Sequence, residues 1–174
     1  MKMLKKLLAI VLTGAMALTL LTACGGNAVT EKSIADAMTD MAKAQGVKAT
    51  FTPRAEEREL ARKIAALAES GTDNQDNIKK ILDFDQGGVN ENNFVWSDRV
   101  FTDELGTSGQ AHNVMNNILS QKAANADKLT GKEPGNIRYI GTALGTLTIH
   151  GKQTTVRFIV VTADAEDPQY PGKA

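Results

Sequence analysis

Apolar residues recur along this chain with three different periods. The first is a mostly apolar run from Leu7 to Leu21, preceded by Lys2, Lys5 and Lys6 and ending in Leu21-Thr22-Ala23-Cys24. Beyond it the period becomes helical. Ile34, Ala37, Met38, Met41 and Ala44 fall three and four apart, which predicts a helix over 33–45 that stops at Gly46. Ser33 and Asp36 stand at the spacing of a capping box. Val47 to Phe51 reads as extended, and Thr52-Pro53 as the cap and first position of a helix over 53–70. Leu60, Ala61, Ile64, Leu67 and Ala68 form the apolar stripe of that helix. A shorter helix is expected over 77–84, a strand over 92–96 with Phe94 and Trp96 on one face, helical structure over 98–105, and a helix over 110–125 capped by Ser108.

The last third alternates with a period of two. Residues 137–149 and 154–162 are rich in β-branched side chains and meet at His150-Gly151-Lys152, which predicts a hairpin. Both faces of the second strand are apolar, so the hairpin is expected to be covered on both sides. Gly141 and Gly145 suggest a close backbone approach or a bulge. Helices, one central strand and a terminal hairpin make an α+β domain, expected as a three-layer α-β-α sandwich around a small antiparallel sheet. Residues 163–174 are expected as a flexible tail.

The N-terminal pattern now acquires a meaning. A basic start, a short apolar middle and small residues before a cleavage point are the parts of a secretory signal. Ending on the only cysteine of the chain, it resembles the lipobox of bacterial lipoproteins. That implies cleavage after residue 23, lipid on Cys24, a tether over 24–32 and a folded domain over 33–162 held at the extracytoplasmic side of the cell membrane. A transmembrane anchor is the competing reading, but the apolar run is short for a span and is interrupted by Thr13 and Gly14.

Without residues 1–23 the chain keeps 151 residues, enough for one domain with a core. Its 20 basic residues less the three lysines of the signal leave 17 against 20 acidic ones, which gives no electrostatic case for nucleic acid. With Cys24 lipidated no disulfide remains, so packing alone must hold the domain.

The succession of elements resembles the CAP superfamily, the secreted domains of cysteine-rich secretory protein and pathogenesis-related-1 type, in bacterial form. The stretches that carry it are residues 37–46 followed by 57–70, then Asn90-Glu91-Asn92-Asn93-Phe94 against the family's Gly-Glu-Asn-Ile. Asn117-Ile118-Leu119 and Arg138-Tyr139-Ile140-Gly141-Thr142-Ala143-Leu144 follow at the later helix and strand. The resemblance implies an α-β-α sandwich with a His/Glu cleft. Of that cleft only Glu91 carries over. The family glycine is Asn90, the helix histidine would fall at Val114 while His112 lies two residues earlier, and no histidine lies between the second helix and Glu91.

Candidate chemistry is sparse. Two histidines, His112 and His150, make a histidine-rich metal site untenable, and no metal or other cofactor is implied. Asp83 to Gly88 lacks the ligands of a calcium loop, with Gly87 and Phe94 at positions that need Asp or Asn and Glu. Ser108 lacks the context of a nucleophile elbow. Asp98, Asp103 and Glu104 read as a solvated face. The cluster left is Glu91, Asn92, Asn93 and Trp96, a carboxylate and two amides beside the only tryptophan, suited to a polar ligand. The expectation is a non-catalytic binding or interaction module whose ligand is cell-wall material, lipid or protein. The alternatives are an envelope-polymer hydrolase with Glu91 as base beside His112, and an accessory subunit docking on another envelope protein.

Overall fold

The computed structural model describes residues 29–83, 93–102, 105–120, 123 and 126–168. Cys24, Glu91 and Asn92, and the proposed signal and tip of the tail, lie outside them. The chain order is α1 (Glu31–Ala44), β1 (Thr50–Pro53), α2 (Ala55–Glu69), α3 (Gln75–Leu82), β2 (Asn93–Phe101), α4 (Thr107–Ser120), β3 (Glu133–Ile149) and β4 (Lys152–Glu166). All belong to one compact unit that begins at Glu31. The α+β class holds. The sheet has the order β1-β3-β4-β2, and it is mixed where an antiparallel sheet was expected, because β1 runs parallel to β3.

The hairpin forms around His150 (φ 50°) and Gly151 (φ 78°), two left-handed residues that give a tight turn the twist of its strands. Successive side chains of β4 then leave the sheet on opposite faces. Val156, Phe158 and Val160 meet Ala61, Ile64, Ala65 and Ala68 of α2 and Leu82 of α3. Arg157, Ile159 and Val161 face the other way, toward α1 and α4, whose Ile34, Met38, Val114 and Met115 are fully buried. These are the three layers.

Helix α2 lies against the sheet at Gly141. A Cβ there would stand 1.9 Å from the backbone nitrogen of Arg58, so no other residue fits. The close approach expected of this glycine is therefore real. Beside it, the fully buried carboxylate of Glu57 accepts from Arg54 Nη2 and Nε (2.7 Å for Nε) and from Thr162 Oγ1 at 2.6 Å. Arg54 also stacks on Tyr139, 3.8 Å from the ring centre. Burial pushes the Glu57 carboxyl up, but the bonds from Arg54 and Thr162 outweigh it and hold it below its ordinary value.

Several boundaries move, each because pairing or packing overrides local propensity. Thr52 and Pro53 belong to β1 and do not open α2. They pair with Tyr139 and Ile140, and Arg54 becomes the N-cap in extended conformation while its N–H donates to Ile140 O at 2.9 Å. Ser33 and Ser108 lie inside their helices and cap neither. The expected helix over 98–105 is overturned through Phe101, since Asp98 to Phe101 pair with Ile159 to Val156. Strand β4 continues through Ala163–Glu166, four residues into the stretch expected as tail.

Candidate functional site

The site grows from β2 because that strand is an edge. Thr102 N–H donates to Thr155 O, directly opposite it, at 3.2 Å. In an antiparallel pair such bonds fall on alternate residues. The even-numbered residues of β2 therefore turn their backbone groups to β4, while Val95, Ser97, Arg99 and Phe101 turn theirs outward. Among the described residues only Arg99 finds a partner there, donating its N–H to Asp98 Oδ1 at 2.7 Å.

Along this edge runs an open groove of about 880 Å³. One wall is α3, through Gln75, Ile78, Lys79 and Leu82, and Ala123 also lines the groove. Residues Val95 to Arg99 follow one another along it, and Ile64 and Phe158 supply apolar floor. Helix α3 is bounded by Asn74, whose side chain accepts from Asn77 N–H at 2.9 Å, and by the left-handed Asp83 that ends it. Asp73 receives Arg99 Nη1 at 3.3 Å across the mouth, and Asn117 Nδ2 donates to Asp98 Oδ2. Apolar Ile64, Val95 and Phe158 beside polar Asp73, Asp98 and Arg99 suit a ligand held by shape and a few hydrogen bonds.

Trp96, the aromatic singled out in the sequence, lines this groove. It is also core, buried and stacked on Phe94 with ring centres 5.9 Å apart, on one face as expected. Arg138 reaches over Trp96 at 5.7 Å and over Phe51 at 5.8 Å. Burial alone lowers the pKa of its guanidinium, whose buried Nε has no acceptor among the described residues. Asn93 is half-buried at the start of β2, opposite Asp164, and is not among the groove residues. His112 is exposed on α4 with Nε2 2.9 Å from Asn116 Nδ2, and it too is not among them. Glu91 and Asn92 are outside the described residues, so the expected cluster is represented here by Trp96 and Asn93 alone. Among the described residues no group of three or more His, Cys, Asp or Glu is gathered as metal ligands would be.

The sequence reading missed Asp98, Arg99 and α3 as groove residues. The available signal was the period of two continuing past Trp96, with Val95, Ser97, Arg99 and Phe101 alternating against Trp96, Asp98 and Val100. No protein-family model matches the chain, and no curated protein or solved structure matches it either.

Proposed function

We propose that this chain is a lipid-anchored, extracytoplasmic domain of CAP-like type that acts as a non-catalytic binding or interaction module at the cell envelope. The observation that carries the reading is the groove between α3 and β2, which is concave and lined by both apolar and polar side chains. The α-β-α layering of the described residues agrees in kind with the sandwich that the resemblance implies, and is what supports the CAP-like part. The basic, apolar and small-residue pattern ending on Cys24 supports the anchor.

Two measurements test it. Cys24→Ala should move the protein from the membrane fraction to the soluble one; unchanged membrane retention would sink the anchor. Thermal unfolding of the full chain with peptidoglycan fragments, fatty acids or sterols should reveal a ligand, worth about 2.7 kcal/mol at 100 times its dissociation constant. Gln75 is exposed at the groove wall, so Gln75→Trp should fill the groove and abolish that shift without touching the core. Release of cleaved product from any fragment would overturn the non-catalytic reading.

A further inference from the structure

We propose that the outer edge of β2 takes up an extended peptide as a fifth, antiparallel strand of the sheet. The inference rests on the reading of the groove as a binding site and names the class of its ligand. A cleft built from scattered side chains fits many shapes, but this one follows five consecutive residues of an edge strand, Val95 to Arg99. Val95 and Ser97 present N–H and C=O toward it, and neither has a partner on that side among the described residues. Donors and acceptors that recur every second residue, about 6.8 Å apart, match one kind of ligand, another extended backbone. Sugars and acyl chains have no such repeat.

A peptide also fits the recess better than a second copy of the domain. The edge lies in the groove beside α3, and another copy's β2 edge would be recessed beside its own α3 in the same way. A single strand has no walls to collide.

The register sets the side-chain preference. Residues directly opposite each other in an antiparallel pair share a face. Val95, with its outward backbone, has its side chain on the α2 and α3 face, in the cluster with Leu82 and beside Ile78. The peptide residues that bond to β2 therefore place their side chains against Ile78 and Leu82 and should be aliphatic. The intervening residues project past Asp98 and should be polar.

The test uses the full chain and an end-blocked peptide of three valines alternating with threonines, with a lysine at each end. Binding is expected, with slowed amide exchange at Val95 and Ser97. N-methylation of the valine nitrogens, which would face β2, should weaken binding at least tenfold, whereas N-methylation of the threonine nitrogens should leave it unchanged. Ser97→Pro removes an outward N–H without removing a bond to β4, and should also weaken binding at least tenfold. The two methylated peptides bear on the question even if that variant folds poorly. Absence of binding at millimolar peptide, or equal binding of both methylated forms, overturns the proposal. Self-association of the full chain that Ser97→Pro abolishes also overturns it, in favour of a second copy. A sterol, acyl or peptidoglycan ligand lost in Gln75→Trp, with no peptide binding, overturns this inference while the binding-module reading stands.

Discussion

Along the outer side of β3, past the short β1, Thr142 N–H donates to Glu31 Oε2 at 2.7 Å and Thr146 N–H to Glu69 Oε1 at 3.0 Å. Along the outer side of β2, among the described residues, only Arg99 N–H is met, and by the carboxylate of its own neighbour. Exposed edges invite pairing with other chains, and proteins commonly blunt them with charge. The β3 edge is blunted by carboxylates brought from two helices, and Arg58 holds Glu31 in place through Nη2 at 2.6 Å. At β2 the carboxylate comes from within the strand and leaves Val95 and Ser97 open. An edge so treated is suited to pairing with something chosen, while the other is suited to pairing with nothing.

The contrast depends on the seating of α2, which carries Arg58 and Glu69 across β3. Gly141→Ala should therefore do the greatest damage, more than about 4 kcal/mol in denaturant unfolding, since its methyl would occupy the space of the α2 backbone. A cost below about 1 kcal/mol would mean that α2 is not held there.

Glu57→Gln comes next. Losing a buried charge whose partner Arg54 is partly exposed should cost about 2–3 kcal/mol at neutral pH. The folded-state pKa lies below the ordinary 4.5, so this stabilisation is complete above that value and disappears as pH falls through the lowered one. The gap between wild type and variant should close in acid, as read from unfolding midpoints across pH. A constant gap would remove the charge from the account.

Smaller effects separate the edges themselves. Thr142→Pro deletes the N–H given to Glu31 and the hydroxyl that accepts from Arg157 Nη1, and should cost about 2 kcal/mol, with Thr142→Val isolating the hydroxyl's share. Glu31→Ala combined with Glu69→Ala should uncover the β3 edge and raise self-association in sedimentation, by a route that leaves β2 untouched. Ser97→Pro should cost least, under about 1 kcal/mol, because its N–H serves no bond to β4. Equal costs for the two prolines would erase the distinction between guarded and open edges.

The periodic elements were legible in the sequence because each follows from its own residues. Leu60 to Ala68 gives α2 its stripe, and the β-branched run around His150-Gly151 gives the hairpin. Where a distant partner decides, local reasoning failed. Asp98-Arg99-Val100-Phe101 carries charge that suits a helix end, but β4 supplies a pairing surface along its whole length. Thr52-Pro53 resembles a helix start until β3 is there to extend it as β1. Of the candidate site, Trp96 was legible as an isolated aromatic. The groove was not, because it exists only where α3, the β2 edge and Ala123 meet.

The bond from Thr142 to Glu31 joins residues 111 positions apart. The β3–β4 hairpin needs only a two-residue connection and is the fastest piece of the sheet to assemble. Its outer rim consequently stands ready before the N-terminal segment that protects it has been gathered in, because closing so long a loop comes later and at greater entropic cost. The interval between those two events is when this chain is most prone to aggregate. A factor that shields residues 142–146 during that time would raise the yield of folded protein without altering the stability of the finished fold.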